Sequence, residues 1–517
     1  MRALVWTAVV LWLAACGTGC GKDSPTGQRR EPDIPKPQWA HASRTTAAAI
    51  TLSWTDAALG EAGYVVERSL NAGSGFATIA TLDANQQDYV DPDVVTGTRY
   101  YYRIRTRDTL GRLSEPTPVF WVDAAENQTP DLPSNPDPPN KGFDLDLPRP
   151  VTLTWQMTDP DGPPPHAWVY FGEARDAITL VASDLGTANY VRADSLALSR
   201  FYFWRIVAID EHGATALSPV WNFGTRMERF GIPGGPFVQG DCGHFSPGDS
   251  SIFCPPFSPG QVEAFNMDKY EVSNQLFAQF LNDLLEDQWV RVVGGRVSSK
   301  VGDSLFAEVY PLGDEHSGIE FVPAGSGPGV FVPRGGRENH PVVEVSWHGA
   351  NRFAQHFGRR LPTEAEWEKA ARGTSSELGW VYFESGDAPD SVGLGFPYPW
   401  GDSPDPRYFN FLGSGDPFEA RVGVGTTPIG YYDGYAHGGY ATRSNQSPYG
   451  IYDLAGNVAE WCTDLFVPYG GGTSSGLRSI RGGGWRSSRS SCQTFWREAM
   501  SPDSTDNLVG FRTVASE

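Results

Sequence analysis

Gly450-Ile451-Tyr452-Asp453-Leu454-Ala455-Gly456-Asn457-Val458-Ala459-Glu460-Trp461 and, farther on, Arg481-Gly482-Gly483-Gly484-Trp485 decide the fold of the C-terminal half of this chain. Both stretches mix turn formers with single large apolar residues, so they read as ordered loops and short strands. Asn507-Leu508-Val509-Gly510-Phe511-Arg512 closes the chain in the same style, and Pro399-Trp400-Gly401-Asp402 precedes them. Upstream, the rhythm is helical. Ser273 is an expected N-cap before Leu276, Phe277, Phe280, Leu281 and Leu284, which recur at three- and four-residue steps. His340-Pro341-Val342-Val343-Glu344-Val345 predicts a strand running into a second helix capped by Ser346 and ended at Gly358. Thr363-Glu364-Ala365-Glu366-Trp367 has the spacing of a capping box, opening a third helix that buries Trp367, Ala370 and Ala371 and stops at Gly373.

Taken together and in this order, these strings resemble the formylglycine-generating enzyme, or sulfatase-modifying factor, family from about residue 230 to 514. The resemblance implies a variant of the C-type lectin fold, α+β with little regular secondary structure. It also implies chemistry: relatives oxidise a cysteine in a sulfatase peptide to formylglycine with O2 and a copper(I) ion held by two cysteines. Two thiolates suit a soft monovalent ion. In the family pattern, the Gly-Gly-Ser-aromatic strand precedes the two cysteines, which lie five residues apart. On this chain the second falls on Cys492, the first on Ser487, and the Ser before the aromatic on Gly484. A serine hydroxyl is a hard, neutral oxygen and does not replace a thiolate on copper(I). Cys462 falls where relatives carry Thr or Ser; a Cys462–Cys492 disulfide is expected ahead of a rebuilt copper site.

Family members also hold calcium in loops, through carboxylates and backbone carbonyls. The match places one set of ligands at Asp453, Gly456, Val458 and Glu460, and a second at Asn410, Phe411, Asp416 and Phe418. Histidine offers less. His348 and His356 lie eight apart on one predicted helix and face different ways, and His340 stands alone before a proline.

Working outward to the N-terminus, residues 1–15 read as a signal peptide whose Leu13-Ala14-Ala15-Cys16 resembles a bacterial lipobox, making Cys16 the expected lipidation site. Gly17 after it points to the outer membrane of a Gram-negative envelope. Outside the cytoplasm, cysteines are candidates for disulfides, so Cys242 and Cys254, around an eleven-residue loop, are expected to pair locally. Residues 16–38 are a polar tether. Residues 39–123 and 142–225 repeat one pattern around a Pro-rich linker, 124–141. Ile50-Thr51-Leu52-Ser53-Trp54 returns as Val151-Thr152-Leu153-Thr154-Trp155, and the tyrosine-rich run at 99–107 returns as Phe201-Tyr202-Phe203-Trp204-Arg205-Ile206. Both resemble fibronectin type III sandwiches and carry no nucleophile–base pattern, so they are expected to be spacers. The family domain occupies 226–517.

The chain has 517 residues, 59 Gly and 41 Pro, which disfavours a helix bundle. Its net charge of −21 argues against nucleic acid as a partner. The expected function is a lipid-anchored module of the cell envelope, without catalysis, that binds a protein or glycan or serves in an assembly; the alternative is an oxidase with altered metal use. Calcium is the expected ion and copper is not.

Overall fold

The computed structural model describes residues 34–516, apart from 47, 57–59, 147–149, 174, 176, 187–189, 194–195, 241–257, 301, 303, 309–314, 324–328, 374–396, 420–424 and 469–475. Cys16, Cys242 and Cys254 lie outside the described residues. The architecture is rich in β-strands with three α-helices among the described residues.

The chain divides into two compact units. The smaller contains Trp54–Asp88 and Tyr101–Phe120. Here Gly63–Ser69 pairs with the strand Arg99–Arg107, Gly63 opposite Arg107 and Ser69 opposite Tyr101. Alternation along that strand buries Tyr102, Ile104 and Thr106 and leaves the intervening arginines partly exposed, as the period of two requires. Trp54 packs edge-on to Tyr64 with ring centroids 5.5 Å apart.

The larger unit runs from Trp121 to the C-terminus and takes in His41–Ser53 and Tyr89–Tyr100. Its first part is the second repeat. Val151–Gln156 lies in one sheet; the other has the order Thr179–Leu185, His166–Gly172, Phe201–Ile209, Trp221–Thr225, Gly142–Leu145. Trp155, Trp204, Trp221 and Phe223 form the core of this repeat. Along Val151–Gln156 the alternation read from the sequence buries Val151, Leu153 and Trp155.

The second repeat is not a free spacer. Phe201, Phe203 and Met227 belong to the same hydrophobic cluster as Leu276, Phe277, Phe280 and Phe353, with Phe143 packed against it. The rings of Phe143 and Phe357 approach to 3.7 Å between centroids. Polar contacts edge this join. Asp144 meets Arg359 at 2.9 Å and Arg229 at 2.6 Å, Lys141 meets Asp287 at 2.7 Å, and the Arg200 guanidinium donates to Gln275 and Asn339, both at 2.7 Å. Burial of large aromatics across a boundary removes the freedom a spacer needs.

The three helices follow their caps. α1 (Asn274–Glu286) begins where the Ser273 side chain accepts from the Leu276 N–H. α2 (Trp347–His356) begins at Ser346, which accepts from the Gly349 N–H. α3 (Glu364–Arg372) has the full capping box of Thr363 and Glu366. Gly358 (φ +67°) and Gly373 (φ +72°) follow α2 and α3 in the left-handed region, where glycine adds no Cβ strain. No helix among the described residues is long and apolar enough to cross a membrane.

The last sheet positions the site. Its order is Arg497–Met500, Arg478–Arg481, Ala459–Leu465, Val509–Gly510. Ala459–Trp461, Arg481 and Val509–Gly510, far apart in the chain, thus lie on adjacent strands, and the loops 450–458, 482–485 and 511–512 leave from them.

One buried carboxyl under the join titrates unusually. Asp283 of α1 accepts from the Gln279 side chain at 2.8 Å and stands 3.9 Å from His356. Burial, with Glu286 and Asp287 adding to it, raises its pKa to about 7 against the pull of Gln279 and Lys141. An acid raised on folding stabilises the fold at low pH and loses that contribution as pH climbs from its unfolded value toward 7. Asp283→Asn should leave the melting temperature at pH 4 nearly unchanged. At pH 8 it should raise it by about 2–4 °C, as ~1 kcal/mol does in a large domain. Calorimetry across that range checks it.

Candidate functional site

The site is built where Arg481 leaves its strand. Gly482 (φ +92°) and Gly483 (φ +66°) turn the chain. A Cβ on Gly483 would stand 2.9 Å from the Cys492 sulfur, so only glycine lets the returning chain approach. At Gly484, where the family pattern has serine, a Cβ would meet the Leu508 carbonyl oxygen at 2.8 Å. Leu508 leaves no room for that serine without a shift.

Ser487 closes the turn that follows. Its hydroxyl accepts from the Gly484 N–H at 2.9 Å, its own N–H donates to the Gly484 carbonyl at 2.8 Å, and its carbonyl accepts from Leu412 at 3.1 Å. The oxygen in the first cysteine's place is thus engaged in holding the loop. Cys492 is fully buried among Tyr398, Phe409, Phe411 and Ala455. Burial, with the charge of Glu498, pushes its thiol well above the usual range and holds it protonated. Cys462 is also fully buried, in a different cluster with Trp367, Ile451 and Val514, and burial raises its pKa too. Both are free thiols. The expected Cys462–Cys492 disulfide is therefore corrected: each sulfur packs as a small apolar group in its own core. One protonated sulfur and a hydrogen-bonded hydroxyl do not fit copper(I).

The two expected calcium sets differ. Glu460 is fully buried, and Arg512 holds it in a two-pronged pair, Nε to Oε2 at 2.8 Å and Nη2 to Oε1 at 2.7 Å. Trp367 Nε1 donates to the same carboxylate at 2.8 Å. Asp453 (φ +60°) accepts from the Gly430 N–H and from the Asn445 side chain at 2.8 Å. Gly456 (φ +76°) lies in the close turn between these carboxylates, where a Cβ would meet the Asn410 carbonyl, and Val458 is buried beside it. A guanidinium already neutralises Glu460, so this set does not fit a calcium ion. The second set has an opening. The Asn410 side chain donates to the Gly425 carbonyl at 2.8 Å, while its Oδ1 is buried with no hydrogen-bond partner. Asp416 accepts from the Ser414 and Tyr432 hydroxyls and from the N–H groups of Phe418 and Glu419. Phe411 is buried next to Asn410. An orphaned buried oxygen is what a hard cation would satisfy. Among the described residues no cluster of three His, Cys, Asp or Glu side chains is placed to hold a metal.

Each histidine has its own partner: His348 meets Asp503 at 3.2 Å, His356 stands 3.9 Å from Asp283, and His340 is buried against Thr426 at 3.0 Å. Sequence reasoning missed Glu271 and Asn457. Asn457 (φ +63°) donates from its side chain to Glu271 at 3.1 Å and accepts there from the Thr427 N–H at 2.9 Å. Its carbonyl accepts from Trp485 at 2.9 Å. Burial first, and then the Asp453 charge, raise Glu271 well above the carboxylate range. An Asn beside Gly456 signals a left-handed turn, but nothing local marks Glu271 as buried.

Alkylation of the folded protein followed by peptide mapping should leave Cys462 and Cys492 unmodified, and both should react in denaturant. A cross-linked peptide joining them would contradict the free-thiol assignment.

Residues 224–517 match the family described as sulfatase-modifying factor enzyme 1-like domain. A protein named formylglycine-generating enzyme from Thermomonospora curvata is 30% identical over 316 residues, covering 55% of this chain and 92% of that protein. One named inactive C-alpha-formylglycine-generating enzyme 2, from Mus musculus, is 29% identical over 305 residues, covering 55% and 84%. PvdO from Pseudomonas aeruginosa shares 19% identity over 56% of this chain and 95% of that one, with a TM-score of 0.35. With its motifs on adjacent strands and more than half its length matched, the chain belongs to the sulfatase-modifying factor enzyme 1-like family.

Proposed function

We propose that this chain is a non-catalytic binding or assembly module of the cell envelope, tethered to the membrane through lipid on Cys16, with two fibronectin type III-like repeats before its family domain. The observation that carries the reading is the pair at 487 and 492. A hydroxyl held by the Gly484 N–H stands with one buried, protonated thiol, where the family chemistry needs two thiolates. Relatives at the same level of identity bear names of both kinds, formylglycine-generating enzyme and inactive C-alpha-formylglycine-generating enzyme 2. Similarity alone therefore does not choose, and the site must.

Copper(I) titration of the full chain under anaerobic conditions tests this, with Ser487→Cys alongside. The parent should bind weakly, the variant should bind more tightly, and the parent should leave a cysteine peptide unoxidised. Conversion of that cysteine to an aldehyde by the parent would overturn the reading.

Calcium enters the same reading as a structural ion at the loop of Asn410, with Phe411, Asp416 and Phe418. It would cross-link loops that carry little regular hydrogen bonding. Adding a chelator to the purified protein should lower its melting temperature by several degrees, and Asn410→Ala should abolish that response. An unchanged melting temperature removes the ion from the account.

A further inference from the structure

Residues 486–491 read Arg-Ser-Ser-Arg-Ser-Ser and form the loop between the turn at Gly483 and buried Cys492. Arg486, Ser488, Arg489 and Ser490 are exposed. Both arginines lie on aromatic platforms. The guanidinium of Arg486 stands 5.4 Å from the ring centre of Trp485, and that of Arg489 stands 4.8 Å from Phe411. Trp485 and Phe411 are buried, so the platforms are fixed. Stacking occupies the face of a guanidinium and leaves its N–H edge free for a carboxylate.

Neither side chain has an ion pair or a hydrogen bond among the described residues. That is unusual in this chain, which has 61 acidic residues against 40 basic ones. Other surface arginines are paired: Arg99 with Asp123 at 2.8 Å, Arg112 with Asp108 at 2.7 Å, and Arg407 with Asp405 at 2.5 Å. Beside the loop, Leu412 is 61% exposed, and its backbone is tied to Ser487. The Ser488 hydroxyl is within 2.9 Å of those of both Ser490 and Ser491, adding polar donors to the same edge. Two pre-oriented arginines, hydroxyls and one exposed leucine make a small recognition surface of the kind protein interfaces favour.

We propose that this loop docks a carboxylate-rich segment of a partner protein, with Arg486 and Arg489 as its anchors and Leu412 as the apolar contact. The inference deepens the binding-module reading and rests on it. The arrangement favours an acidic polypeptide over a glycan, because sugar rings bind to free aromatic faces and the faces here are covered. Trp485 has Arg486 on it and His316 at 4.9 Å. Trp400 is stacked on Tyr398 at 5.4 Å and on Tyr408 at 4.9 Å. Away from the loop, the net charge of −21 repels an acidic partner, so complementarity is confined to the loop and fixes where the partner lands.

The test uses the full chain and a short fluorescein-labelled peptide of alternating Glu and Leu, followed by fluorescence anisotropy. The parent should bind, and more weakly as salt rises. R486E/R489E should weaken binding at least about tenfold, the scale of losing charged anchors. Leu412→Ser, which removes the apolar contact without adding charge, should weaken it severalfold by an independent route, and Arg407→Glu should leave it unchanged. Matching melting temperatures show that the variants fold. A heparin-derived oligosaccharide is the second probe. No peptide binding by the parent, equal binding by R486E/R489E, or binding of the oligosaccharide alone would overturn the proposal. Copper titration reads a different property, so a failure here and a failure of the non-catalytic reading are told apart.

Discussion

The bidentate pair of Glu460 and Arg512 is the constraint around which the C-terminal domain is arranged. Both side chains are fully buried, so neither charge has water to fall back on. Each must satisfy all its polar atoms within the protein, and doing so draws distant segments together. Glu460 takes Trp367 of α3 as well as Arg512. Arg512 also donates to the carbonyls of Tyr452, Asp268 and Lys269. Two strands, a helix and two loops thus converge on one charge pair. Loss of one partner would strand the other, at a cost of about 3–5 kcal/mol.

The geometry around residues 481–492 follows from that frame. Asn457, three residues from Glu460, holds the Trp485 N–H on one side and Thr427 and Glu271 on the other. The glycines at 482 and 483 then let the chain turn back against Cys492. The frame is that of the family, and its most specific contact is altered. A turn-closing hydroxyl now occupies position 487, and room is lacking for a serine at 484. Backbone architecture and ligand chemistry are separable here, because the turn needs glycines while the metal needs sulfur.

The second repeat changes how the N-terminal half is understood. Phe143 and Phe201 extend the aromatic core of α1 and α2, and the polar contacts of Asp144, Lys141 and Arg200 border it. Residues 142–225 therefore behave as a lobe of the C-terminal body, and the position of that lobe is set by packing. Their own pattern of alternation is indistinguishable from that of a free sandwich, since the period of two records which face is buried and not what buries it.

Much of this was legible without coordinates. The caps at Ser273, Ser346 and Thr363, the helix ends at Gly358 and Gly373, and the strand at 99–107 depend on neighbours within a few residues, and each lies where the sequence places it. The absence of a cysteine at 487 was equally plain. Tertiary structure alone decided the partners: that Glu460 faces Arg512, that Cys462 and Cys492 sit in separate cores, that Glu271 is buried, and that Phe143 meets Phe357. The physical reason is reach. Propensity, capping and periodicity act over one or two turns of chain, whereas these contacts join residues dozens to hundreds of positions apart, and only the packed fold brings them within bonding distance.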